Sequence, residues 1–284
     1  MAFRGAAALD VITFLTTTVR GVVRIVADSK LGLIAAGVAF FSMLAVFPAV
    51  AAVIALFGYF ADPKVILVQV QLLADFVPAE AFDILDAQVK ALIAANVSAL
   101  GWTSVVSILA ALWSARAGVA ALMEGVNATH RADARGGFGH ILASVLMTLI
   151  LVGVALVALA AAIVIPVLLA VFPLGPFFTV AVTVVKWAIS LAVVVFGVGL
   201  AYRHGPNRGD TRSPWISPGL VLAVALWAAA SVGFSYYIAN FSSYNQVYGS
   251  IGAVVALLMW FYISAYVILL GAALNAELER FPRV

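Results

Sequence analysis

Long apolar runs alternate with short polar joints along most of the chain. The clearest run extends from Ile251 to Ala276 without a formally charged side chain. At ~1.5 Å rise per residue such a helix crosses a ~30 Å hydrocarbon layer with some tilt. Five runs precede it: Leu31 to about Phe60, Gly101 to Met123, Phe138 to Phe172, Phe177 to Tyr202, and Ser217 to Ala239. Each predicts a membrane-spanning helix. Pro48 interrupts the first, where it frees a backbone carbonyl and predicts either a packing bend or a hinge. The expected fold is all-α: a polytopic bundle of six transmembrane helices with amphipathic interfacial helices beside it.

Two stretches break the pattern. In residues 1–30 the basic residues Arg20, Arg24 and Lys30 come late and no short apolar core ends in a small-residue cleavage site, so the stretch reads as an amphipathic helix and not as a removable signal. Ile12, Leu15, Val19, Val22 and Val26 recur at three and four, while Asp10, Thr13, Thr17, Arg20 and Arg24 fall on the other side. That pattern suits an interfacial helix on an anionic leaflet or a surface helix packed on the bundle. Residues 61–99 carry too many charges to span. There Pro78 opens a helix whose Asp86 and Lys90 stand four apart, as a lid or as a cap at the water interface. The domain organisation expected is therefore an N-terminal helix at 1–30 and a six-helix membrane domain at 31–284, with the external segment 61–99 inserted.

Composition fits: 65% of residues are hydrophobic, 10% are charged, and the mean hydropathy is +1.18. A soluble domain carries roughly 25% charged residues. The absence of cysteine excludes disulfides and thiolate metal sites. The net charge of +3 says little as a total, but its distribution says more. With the N-terminus inside, the inner pieces hold Arg4, Arg20, Arg24, Lys30, Arg131, Arg135, Arg203, Arg208, Arg212, Arg280 and Arg283; the outer ones hold Lys64 and Lys90. The positive-inside rule then places both termini in the cytoplasm.

Two cations fall inside predicted spans, Arg116 and Lys186, where a charge needs a reason. They line a path for an anionic or zwitterionic solute, with Glu124 as a partner. Alternatively the lysine snorkels and the arginine bonds backbone carbonyls. Asn127 and Asn275, at the ends of two inward-running helices, line the same path or cross-link helices, as Tyr202 and Ser264 also can. Tyr244, Asn245 and Tyr248 stand at the outer mouth before the last helix. Gly249, Gly252 and Gly271 permit a tight turn and close packing, and join Pro48 as hinge or packing positions. No metal site is expected, because His130, His140 and His204 lack metal-ligand spacing and few carboxylates lie near them.

Several blocks resemble the YihY/BrkB family of bacterial inner-membrane proteins, also labelled ribonuclease BN-like. They are Ala39-Phe-Phe-Ser-Met-Leu-Ala-Val-Phe-Pro48, Leu112-Trp-Ser-Ala-Arg116 running to Asn127, Arg135-Gly-Gly-Phe138, Pro206-Asn-Arg208, and Tyr248-Gly-Ser-Ile-Gly252 through Trp260 to Leu270-Gly-Ala-Ala-Leu-Asn275. The chain departs from the family pattern at Ala45, at His130, and at Ala273, where the family often has glutamate; Glu277 is the available substitute. The resemblance implies a six-helix inner-membrane protein of a family suspected of exporting small solutes. Its nuclease label is regarded as a misassignment.

The function expected is transport, as an exporter of a small polar or zwitterionic solute in the bacterial inner membrane. The alternative from another class is a non-transporting scaffold that organises envelope partners. No enzyme, cofactor or nucleic-acid partner is expected; the partners are the lipid bilayer, a small polar solute and a second copy of the chain. No G-x-x-x-x-G-K-[ST] pattern is present, so energy would come from an ion or solute gradient or another subunit.

Overall fold

The computed structural model describes residues 2–60, 86, 90, 97–132, 137–171, 176–207, 214–239 and 250–281. Among these the chain forms seven helices and no strand. They are α1 (Ala2–Asp28), α2 (Leu31–Phe60), α3 (Val97–Thr129), α4 (Gly137–Val171), α5 (Pro176–His204), α6 (Pro218–Ala239) and α7 (Ser250–Leu278). Tyr244, Asn245, Tyr248 and Gly249 lie outside the described residues, as do the side chains of Pro48 and Lys186 and nearly all of the segment 61–99. Within that segment Lys90 and Asp86 form an ion pair at 2.7 Å.

Among the described residues, four stretches are long and apolar enough to cross a membrane: Ile108–Thr129, Gly137–Val154, Pro218–Tyr237 and Val254–Leu278. A fifth is added if Thr13–Asp28 and Leu31–Val46 count as one broken span. At most 22% of any of these four is buried inside the molecule, and Leu109, Leu146, Val232 and Val255 among others stand exposed. In water so much bare apolar surface would drive aggregation; in lipid it is the solvated surface. The protein is an all-α membrane protein that crosses the bilayer several times. Several hydroxyl side chains on the helices bond to the carbonyl one turn back. Ser144 and Thr148 donate to the carbonyls of Ile141 and Ser144 at 2.9 and 2.7 Å, and Ser231 donates to that of Trp227 at 2.8 Å.

The chain divides into two compact units. The first joins residues 1–32, 122–226 and 267–284, and the second joins 33–121 and 227–266. Within the second, Trp227 stacks obliquely on Trp260, with centroids 5.9 Å apart, and donates its indole N–H to the Ser264 hydroxyl at 3.2 Å. Phe234 also meets Trp260 at 5.3 Å, and Gly118 lies against Phe41 and Ser42. Its buried positions are small or β-branched: Ala35, Val38, Ala39, Ala111 and Ala265.

The first unit holds all the buried polar side chains found among the described residues, including Asn127, Thr129, Ser217, Asn275 and Glu277. Within it α1 packs against the end of α7: Phe14 meets Phe281 with centroids 5.2 Å apart, and Gly21 lies on the Glu277 carboxylate. A methyl group at Gly21 would occupy the carboxylate's place.

Candidate functional site

The first unit's polar node is built from helix ends, where backbone groups lack partners within the helix. Helix α3 ends in a Schellman arrangement: Ala132 N–H donates to Asn127 O at 3.4 Å and Arg131 N–H to Ala128 O at 3.2 Å. Arg131 takes the left-handed position with φ 51°, which glycine usually fills. Asn127 completes the turn from its side chain. Its Nδ2 donates to Ala132 O at 3.0 Å, and its Oδ1 accepts from Asn207 N–H at 2.9 Å. The turn is also tied to the end of α1, where Ser29 Oγ donates to Ala128 O at 3.2 Å and Arg131 pairs with Asp28 at 3.3 Å.

Helix α6 begins at Ser217-Pro218-Gly219, and its free N–H groups are all accounted for. Pro218 has none; Leu220 N–H donates to Ser217 Oγ at 3.2 Å, a normal N-cap bond. Val221 N–H reaches Ser217 O at 3.1 Å, and Gly219 N–H donates to Asn275 Oδ1 at 2.8 Å. Asn275 Nδ2 then donates to Ser217 Oγ at 2.8 Å. Asn275 of α7 is thus part of the α6 cap. This is possible because Gly219 and Gly271 face each other so closely that a Cβ on either would collide with the other's carbonyl. A third tie, from the Tyr202 hydroxyl to Ile268 O, fastens α5 to α7. Glu277, one turn beyond Ala273 and buried, pairs with Arg280 at 3.0 Å.

Beside these ties lies a recess lined by Met123, Glu124 and Asn127 of α3, His140 in the first turn of α4, and Gly205 just after α5. Glu124 is exposed and His140 half-buried, and neither has a hydrogen-bond partner among the described residues. At the mouth of one recess a carboxylate offers an acceptor to an ammonium group and an imidazole offers a donor to a carboxylate. Among the described residues no group of three or more histidines and carboxylates is placed to hold a metal ion.

The structure brings Glu124 and Asn127 together here and places Asn275 and Gly271 in the α6–α7 clasp. Arg116 belongs to the second unit, where its guanidinium lies 5.2 Å from the ring centre of Trp113, a cation–π contact. Gly252 sits in the first turn of α7. Sequence reasoning overlooked His140 as a neighbour of Glu124, and Ser217 and Gly219 as partners of Asn275. The Ser-Pro-Gly start of α6 was a legible capping signal, whereas the 16-residue separation of Glu124 and His140 carries none.

Long apolar helices with lipid-facing surfaces, and a first unit held by polar caps with a recess beside them, define a multi-pass membrane protein. The family model described as virulence factor BrkB matches residues 22–283, and the chain belongs to that family. It is 31% identical over 186 residues to a ribonuclease-like protein, YfkH, of Bacillus subtilis strain 168, across 61% of this chain and 64% of that one. It is 35% identical over 96 residues to UPF0761 membrane proteins of Xanthomonas campestris and Xanthomonas axonopodis, across 34% of this chain. The chain thus spans less than two thirds of these relatives, only 22% of the Xanthomonas proteins. No solved structure matches it.

Proposed function

We propose that the protein exports a small polar or zwitterionic solute across a bacterial inner membrane, with both termini in the cytoplasm. The observation that carries this reading is the recess holding Glu124 and His140, uncommitted to any other described residue while the neighbouring Asn127 is fully engaged. The Glu124 carboxylate suits the ammonium of a zwitterion, and the His140 imidazole suits its carboxylate. The bias of arginine towards one set of loops supports the orientation. Arg116 and Lys186 would serve the solute further along their helices. The reading assigns no enzymatic step, cofactor or nucleic-acid partner to the chain.

Flux in proteoliposomes tests it. Glu124→Gln and His140→Ala should each lower flux about tenfold, the equivalent of ~1.4 kcal/mol in solute binding. Wild-type flux equal to that of empty vesicles across osmolytes and amino acids would overturn it. One observation favours the scaffold reading instead: Asn127 and Asn275, expected on a solute path, spend both ends of their amides on helix caps. A scaffold would show no flux for any of these solutes.

A further inference from the structure

Helix α1 presents three different faces. Thr18, Gly21 and Ile25 are buried in the first unit, at the spacing of a single helical stripe. Next to them runs a second stripe at every fourth residue, Leu15, Val19 and Val23, exposed by 54%, 60% and 62%. About 100° further round stand Arg20 and Arg24, both exposed, with Thr13, Thr16 and Thr17. The first stripe explains how the helix is held. The second is apolar surface that nothing in the chain covers among the described residues.

From this geometry we infer that α1 lies along the membrane surface as an anionic-lipid-binding helix, with Leu15, Val19 and Val23 in the acyl boundary and Arg20 and Arg24 among the headgroups. Three observations select lipid over another occupant. The apolar stripe is flanked by cations, the complement of anionic headgroups. A two-residue joint, Ser29-Lys30, with Lys30 at φ 50°, connects α1 to α2, whose Leu33 and Phe40 are already exposed as lipid-facing side chains are. A vertical crossing would drag Arg20 and Arg24 into hydrocarbon, whereas a horizontal pose keeps both at the level where they are satisfied. The inference does not depend on what the protein transports, or on whether it transports.

The chain has no cysteine, so single spin labels can be placed without removing native thiols. Nitroxides at Val19→Cys and Val23→Cys, and at Thr13→Cys and Thr17→Cys on the polar side, would be read in the whole protein reconstituted in phosphatidylglycerol or phosphatidylcholine. In phosphatidylglycerol, labels at 19 and 23 should be relaxed several-fold more by oxygen than by an aqueous nickel chelate, and labels at 13 and 17 the reverse. Replacing Arg20 and Arg24 by glutamine should lower the immersed fraction about five-fold per arginine in that lipid. High salt should have a like effect. Water-exposed labels at 19 and 23 would overturn the inference. So would labels there shielded from both relaxants, which would reveal a protein partner, or immersion that is the same in both lipids and indifferent to the two arginines.

Discussion

The two units meet the same requirement, holding helices together without water to drive them, by opposite means. In the first, side chains complete the backbone of a neighbouring helix end: Asn275 caps α6, Asn127 closes α3 and links it to Asn207, and Tyr202 reaches Ile268. In the second, contact rests on small residues and rings, with Gly118 against Phe41 and Trp227 between Trp260 and Ser264. Packing of the second kind is additive and replaceable. Bonding of the first kind is not, because removing one partner strands a buried group. The first unit is therefore the part of the molecule where single substitutions should have large effects.

The largest difference should appear at glycines. Gly271→Leu or Gly219→Leu forces a side chain into backbone, and neither is expected to give folded protein. Gly233→Leu, in the second unit where nothing lies within 4 Å of the added carbon, should be tolerated. Yield of monodisperse protein in detergent separates the two outcomes, and equal yields would erase the distinction between the units. Next comes the cap: Asn275→Leu strands Gly219 N–H and should destabilise by ~2–3 kcal/mol in thermal unfolding. Its counterpart Ser264→Ala, which leaves the Trp227 indole N–H without that partner, should cost only ~0.6 kcal/mol.

A subtler contrast lies within the first unit. Gly21→Ala displaces the Glu277 carboxylate and should cost ~1–2 kcal/mol, a loss that largely disappears in a Glu277→Ala background because the collision is then gone. Full additivity in that double-mutant cycle would show that the two residues do not share the space. The smallest effect is expected at Arg131, whose left-handed backbone costs ~1–2 kcal/mol in a residue other than glycine. Arg131→Gly relieves that strain but gives up an exposed ion pair with Asp28 and makes the unfolded chain more flexible, so a net change within ~0.5 kcal/mol is expected.

Helix positions and the membrane setting were legible because apolar length speaks directly: each run from Leu31 onward became a helix within a few residues of its expected ends. The interior of the first unit was far less so. Asn127 and Asn275 advertised themselves as polar residues at the ends of apolar runs, but a sequence does not say which of two helices an amide will face. Glu124 and His140 come together only because α3 and α4 meet across a short joint, and no periodicity records that meeting. On α1 the pattern of three and four was visible, yet it could not separate the stripe buried in the protein from the stripe left bare. Thr18 and Gly21 are buried and Val19 is not, which hydropathy alone would have reversed.

The first unit draws its three segments from opposite ends of the chain, residues 1–32 and 267–284 closing on 122–226. Its final polar bond, from Asn275 to the cap of α6, forms only after the last helix has been made. During synthesis Gly219 N–H therefore waits without its Asn275 partner. A nascent chain stalled before Asn275 would carry an α6 whose first turn keeps only its Ser217 cap and an α1 without its contact to Glu277, features by which a membrane quality-control protease could tell unfinished copies from finished ones.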